Sequence, residues 1–276
     1  MAGKAINRLG ELINKTTPRE QLDLDVQGSQ LMFNVFGFIP ATDCTDNAIL
    51  LSNLGYALAQ QGYNVCLLDF KVFQPNIYLY LDIPHNPKGN GLLTILKDDK
   101  ADLREQINQT KYDRLYLLSS SPQDLMEEYF DFDMEQVAFV IEALKKSFDI
   151  VLIDIPYIPP LEFCLAAIKQ SHIGFFTASE RVDALSGITR LLDFADSLGI
   201  GVKKFANVIF SNLRHVKFDF GSLEKLKINI VACLPMVKGA VTDALDGKLY
   251  LKDNALVNSE YRKGLGEIVN MILMPY

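Results

Sequence analysis

Asp69 and Asp154 each close a short apolar run, Asn64–Asp69 (NVCLLD) and Ile150–Asp154. An aspartate where a strand ends commonly caps the helix that follows. Lys71 comes two residues after the first aspartate. It is either a cation for a bound phosphate, or a solvated lysine or ion-pair partner of Asp43, Asp46 or Asp69. Between another apolar run and a helical pattern lies Thr42-Asp43-Cys44-Thr45-Asp46-Asn47-Ala48. No glycine or lysine occurs from Pro40 to Ala48. A backbone cradle for phosphate needs residues that can turn their N–H groups inward, which glycine does most readily. Asp43 and Asp46 would each repel a nearby phosphate by a few kcal/mol at an effective dielectric of about 20. Thr45 or Asp46 suits the N-cap of the next helix. Asn212 follows a further apolar run and fits a turn.

Other chemistries find little support. Cys44 has acidic neighbours that disfavour its thiolate, so an inert thiol is expected. The cysteines at 44, 66, 164 and 233 form no CxxC pair, and His85, His172 and His215 are equally scattered, which argues against zinc and disulfides. GxSxG, HExxH, EF-hand and intact GxxxxGK[ST] signatures are all missing. Glu127-Glu128, Asp131 and Asp133 alternate with Tyr129, Phe130 and Phe132, the pattern of a loop or partner-facing edge.

The elements that must position these residues alternate in period. Strands are expected at Leu31–Phe38, Asn64–Asp69, Arg114–Leu118, Ile150–Asp154, Ile173–Thr177, Phe205–Phe210 and Ile228–Cys233. Helices are expected at 46–61, 134–146, 161–170, 182–198, 241–245 and 260–274, with Gly62 as the C-cap of the first. Apolar strands separated by helices make an α/β fold: a doubly wound, mostly parallel sheet with helices on both faces. Ligand sites in such folds lie at the carboxyl ends of the strands, here loops 38–47, 69–76, 154–160 and 210–215. Residues 1–30 are expected to form an extension, with a short amphipathic helix over 4–15, and residues 31–276 the α/β domain. That helix places Ile6, Leu9 and Ile13 on one side with Lys4, Arg8 and Lys15 nearby, so it packs on protein or lies on a membrane surface.

Of the 276 residues, 49% are hydrophobic, enough to cover both faces of a large sheet. The net charge of −7 argues against a surface that grips nucleic acid everywhere, leaving modest basic clusters at Lys203-Lys204 and Arg214–Lys217. No apolar run reaches the roughly 18 residues of a membrane span, and no signal-peptide core is evident, so a cytoplasmic protein is expected.

The string NLGYALAQQGYNVCLLDF (53–70), followed by QPN (74–76), resembles the MinD/ParA group of P-loop ATPases, whose phosphate loop is a deviant Walker A motif. Its CpaE/TadZ-like branch is the most similar in pattern. VLIDIP (151–156), FSN (210–212) and CLPMVKGAVTDALDGK (233–248) continue the resemblance in order. It implies a P-loop NTPase-like fold and puts Thr42–Ala48 where the family has Lys-Gly-Gly-Val-Gly-Lys-Thr. Asn47 then replaces the phosphate-binding lysine and Ala48 the hydroxyl that holds magnesium. Asp69 keeps the first acidic position of the second strand, while Lys71 replaces the second, which organises the attacking water. Asp154 keeps the position that holds magnesium through water, and Asn212 the position that reads adenine.

The resemblance thus implies a degenerate phosphate loop and a pseudo-ATPase. Hydrolysis is not expected, and no cofactor is, ATP with magnesium being the alternative. A homodimeric scaffold that positions a larger assembly, such as a pilus, secretion, division or segregation apparatus, is the expected role. Its partners would be proteins and, through residues 4–15, the inner face of a membrane, with DNA disfavoured. The last amphipathic stretch is expected to pack on the sheet.

Overall fold

In the computed structural model, the structure describes residues 33–41, 47–84, 91–179, 184–214, 229–253 and 256–274. The whole expected 1–30 extension, with its amphipathic pattern at 4–15, and the 42–46 segment therefore lie outside the described residues. So do His85, His215 and Cys44.

The strands are β1 (Val35–Pro40), β2 (Val65–Asp69), β3 (Asn108–Gln109), β4 (Leu115–Ser119), β5 (Ile150–Asp154), β6 (Ile173–Ala178), β7 (Asn207–Leu213) and β8 (Asn229–Pro235). Among the described residues they form one sheet in the order β3-β4-β2-β5-β1-β6-β7-β8. Every pairing is parallel except β3 with β4. The helices are α1 (Asn47–Gln60), α2 (Ile77–Tyr80), α3 (Leu92–Lys97), α4 (Leu103–Gln106), α5 (Met134–Ser147), α6 (Leu161–Gln170), α7 (Ala184–Ser197), α8 (Ala240–Leu245), α9 (Tyr250–Asp253) and α10 (Ser259–Leu273), with a 3₁₀ turn at Met126–Phe130.

Alternation along the strands sorts the core into two layers. Val35 and Ile39 of β1, Cys66 and Leu68 of β2, and Val151 and Ile153 of β5 pack on one face with Val140, Ile141 and Phe163. Phe36, Phe38, Val65, Leu67, Ile150 and Leu152 pack on the other with Leu50, Leu54, Leu265 and Ile268. A strand buried on both faces has no place for polar residues, which is why these runs are continuously apolar. The closing helix α10 is consumed in this packing: Leu265, Ile268, Val269 and Ile272 are buried, and Leu273 sits against the same layer.

Several elements differ from the expected ones. β1 reaches Pro40 rather than ending at Phe38, because a proline at a strand's last position forfeits only one ladder donor. The charged stretch around Glu127-Glu128 is not a loop but the 3₁₀ turn, pinned by the buried Tyr129, whose hydroxyl donates to Asp124 at 2.5 Å. Gly62 does cap α1, at φ 96°, in the left-handed region that favours glycine. Lys204, expected only as part of a basic cluster, is not a freely solvated lysine. It is half-buried and its ammonium donates to the Lys169 carbonyl at 2.6 Å, with burial pulling its pKa down to about 8.

At the amino end of β1, the backbone N–H groups of Asn34 and Val35 both donate to His172 Nδ1, at 3.1 and 3.2 Å. That geometry requires an unprotonated Nδ1. Burial, then Lys145 and Lys204, hold the pKa of His172 below its ordinary value, with Glu142 opposing weakly. A folded pKa below the unfolded one means that His172 stabilises the fold fully above the unfolded value. That stabilisation is lost as pH falls toward the folded value. The His172→Ala variant should therefore lose less stability than the wild type between about pH 7 and 5.5. Urea unfolding at both pH values checks this, and parallel losses would refute it.

Candidate functional site

The sheet order brings distant residues together at the carboxyl edge. β2 lies beside β5 in a register that makes Asp69 and Asp154 direct neighbours. β1 lies on the far side of β5, with Phe38 opposite Asp154, and its other neighbour β6 places Thr177 opposite Pro40. Adjacent strands are about 4.8 Å apart, so two carboxylates now share one small buried region. Both side chains are fully buried.

The two aspartates have separate roles. Asp69 turns its oxygens to the chain that follows: Oδ1 accepts from the Lys71 N–H at 3.0 Å, and Oδ2 from Asn76 and Ile77 at 3.0 and 3.3 Å. It thereby holds the 71–76 loop and caps α2 from seven residues away. Asp154 faces side chains instead. Its Oδ1 accepts from Asn47 Nδ2 at 3.1 Å, and its Oδ2 lies 2.7 Å from the Lys71 ammonium. Asp43, Asp46 and Asp69 were the expected partners of Lys71; Asp43 and Asp46 lie outside the described residues, and among the described ones Lys71 pairs with Asp154. Two strand ends set side by side put the second carboxylate closer to the Lys71 side chain than its own strand's aspartate.

Asn47 ties three strands to the start of α1. Besides Asp154 on β5, its Nδ2 reaches the Phe38 carbonyl of β1 at 3.4 Å, and its Oδ1 accepts from the Thr177 hydroxyl of β6. Both donors and the carbonyl oxygen are thus engaged, and the residue has no exposed surface. Ala48, next on α1, is buried and brings no hydroxyl. Thr177 is the site residue that sequence reading did not find; the signal was a lone threonine closing the apolar run IGFF, which could have been set against Asn47 only by knowing that β6 adjoins β1.

Electrostatics follow from this closure. Burial and the adjacent Asp154 push the Asp69 carboxyl up to about 6, against the pull of Lys71 and the loop N–H groups. Among the described residues, the Lys71 ammonium therefore serves a pair of buried carboxylates. Asn212 lies in β7 near its carboxyl end, though its side chain falls outside the described ones, as do Thr42, Asp43, Cys44, Thr45 and Asp46. Cys66 and Cys164 are buried, and burial pushes both thiols up, Cys164 to about 12, so neither is a nucleophile here. Among the described residues no group of His, Cys, Asp and Glu could hold a metal ion. Around the rim, Leu79, Phe130 and Ile158 are exposed, and the Phe130 ring rests 5.5 Å from Phe73 of the 71–76 loop.

Comparison with known proteins agrees with this architecture. The septum site-determining protein MinD of Thermotoga maritima is 23% identical over 193 residues, covering 67% of this chain and 69% of that protein. A ParA family ATPase from Chlorobium tepidum superposes with a TM-score of 0.71 at 18% identity, over 88% of this chain and 99% of its own. The MinC:MinD cell division protein complex of Aquifex aeolicus gives 0.68 at 18% identity, over 88% and 98%. The fold is thus that of the MinD/ParA P-loop NTPases. The family described as an AAA domain is matched over residues 47–205, more than half of the chain, and the protein belongs to that family.

Proposed function

We propose that this chain is a MinD/ParA-like pseudo-ATPase of the CpaE/TadZ kind, a dimeric scaffold that positions a larger assembly. The observation that carries the reading is the closed network at the carboxyl edge. Lys71 and Asn47 occupy both oxygens of Asp154, the residue that would hold a magnesium ion through water. Ala48 supplies no hydroxyl, and no glycine or lysine occurs from Pro40 to Ala48 to cradle a triphosphate. The residues present do not fit a magnesium–nucleotide group, so the internal ammonium takes the place of the metal's charge. Leu79, Phe130 and Ile158 give the rim of that edge an apolar surface suited to a second copy or a protein partner. The Aquifex aeolicus relative is itself a complex of two proteins, which supports a role exercised through protein contacts.

Calorimetry with magnesium–ATP and sedimentation velocity test the reading together. No heat at millimolar nucleotide, with a concentration-dependent dimer unchanged by ATP, is the expected result. A strict monomer would remove the scaffold, and micromolar ATP affinity would remove the pseudo-ATPase.

A second reading has one observation of its own. The Lys71 side chain keeps 18% of its surface exposed, so it could leave Asp154 for an incoming phosphate and make the site an ATP-binding switch. Nucleotide binding abolished by both Lys71→Ala and Asp154→Ala would establish it.

A further inference from the structure

The connection that leaves β4 sends its large side chains to opposite sides. Tyr129 and Phe132 are buried in the core layer that holds Val140 and Phe163, and the Tyr129 ring meets Phe163 edge-on at 5.9 Å. Leu125, Met126 and Phe130, at the start, head and tail of the 3₁₀ turn, are instead 58, 49 and 57% exposed. A single exposed apolar residue is ordinary, but three on one turn make a patch. Phe130 extends it toward the 71–76 loop through its contact with Phe73. Both ends of the turn are fixed. Asp124 accepts from the Ser121 N–H at 2.8 Å and from the Tyr129 hydroxyl at 2.5 Å, while Asp133 and Gln136 form the capping box that starts α5. An apolar surface held this way loses little conformational freedom when a partner covers it.

The charge around the patch has one sign. From Ser121 to Glu135 the chain holds Asp124, Glu127, Glu128, Asp131, Asp133 and Glu135, and no lysine, arginine or histidine. Asp124 and Asp133 are spent on the bonds just named, and Glu128 pairs with Lys97 at 2.5 Å. Glu127, Asp131 and Glu135 are exposed, and among the described residues they make no ion pair. The macrodipole of α5 accounts for Glu135 in its first turn, but Glu127 lies too far ahead of the helix to be explained by it.

We propose that this turn docks a lysine- or arginine-rich segment of a partner protein. The segment lays apolar anchors on Leu125, Met126 and Phe130 and sets its cations among Glu127, Asp131 and Glu135. Apolar contact at the centre supplies most of the affinity, and the charges around it supply the approach rate and the choice of partner. The same carboxylates repel nucleic acid and anionic lipid. They also oppose a symmetric contact with a second copy, which would set one acidic turn against another. The turn follows β4, and β2 separates that strand from β5 and Asp154, so the surface does not depend on the closed network. It does rest on the scaffold reading in one respect, since it names a partner for the protein contacts of that scaffold.

Fluorescence anisotropy of a short labelled peptide of Leu-Lys-Lys-Leu repeats, titrated with the full chain, is the test. Its affinity should fall about tenfold or more between about 50 and 500 mM salt, and the same peptide with glutamate for lysine should not bind. Leu125→Ser/Met126→Ser/Phe130→Ser and Glu127→Gln/Asp131→Asn/Glu135→Gln should each weaken binding about tenfold or more, with melting curves close to that of the wild type. Glu260→Gln/Glu267→Gln removes two exposed carboxylates from α10 and should leave binding unchanged, which separates the turn from general acidity. Undiminished binding by either turn variant, an equal loss in the α10 variant, or binding of the glutamate peptide would overturn the proposal. So would loss of self-association from the apolar variant with peptide affinity intact, which would make a second copy the occupant. Should the apolar triple variant fail to fold, Phe130→Ser alone and the charge variant decide. A chain that dimerises and ignores ATP while the peptide fails to bind would keep the scaffold reading and remove this partner alone.

Discussion

Replacing Lys71 with methionine should cost the fold about 3 kcal/mol near pH 7, the low end for breaking a buried ion pair because the lysine is partly exposed. The substitution leaves Asp69 and Asp154 side by side and fully buried without the Lys71 ammonium. Burial and its neighbour already push Asp69 up to about 6, and losing the ammonium pushes the pair further in the same direction. A carboxyl whose folded pKa is raised binds its proton more tightly folded than unfolded, so its ionisation penalty disappears as pH falls. The deficit of the variant should therefore shrink between about pH 7.5 and 5. Urea unfolding of both proteins at each pH measures it, and Lys71→Met/Asp154→Asn should recover most of the loss because the orphaned charge is gone. A deficit below about 0.5 kcal/mol, or one that grows in acid, would mean that Lys71 is not the counter-ion of this pair.

Much of this arrangement was legible before any coordinates. Ile150–Asp154 and Leu161–Gln170 have the bounds expected from an apolar run and a helical period. The placement of Asp69 and Asp154 at strand ends followed from the same runs. What stayed hidden is what depends on strand order. That β2 adjoins β5, while β1 separates β5 from β6, is set by crossovers spanning a hundred residues, and no local pattern encodes it. Only with that order do Lys71 meet Asp154 and Asn47 meet Thr177. The short helices α2, α3, α4 and α9 also escaped, because four to six residues are too few to display a helical period. α2 in particular is held by Asp69 from outside its own sequence. The resemblance of NLGYALAQQGYNVCLLDF located the fold, whereas the bonding shows that Asp69 spends its oxygens on backbone N–H groups.

The other large effect belongs to the amino edge. A methyl group added at Gly174 would lie 2.2 Å from Cδ1 and Cγ of Phe205, atoms of a rigid ring that is itself buried. Gly174 is also fixed on its backbone, since its N–H donates to the Lys204 carbonyl at 2.9 Å and its carbonyl accepts from Asn207. Neither the strand nor the ring can yield without disturbing the β6–β7 pairing or the ring contact of Phe205 with Phe176. Gly174→Ala should therefore destabilise the protein by about 3 kcal/mol, the upper range for overpacking a core. Gly174→Ala/Phe205→Leu should be more stable than the sum of the two single changes, since the smaller side chain vacates the space that the methyl needs. Chemical unfolding of the four proteins closes the cycle, and strict additivity would show that the clash is relieved elsewhere.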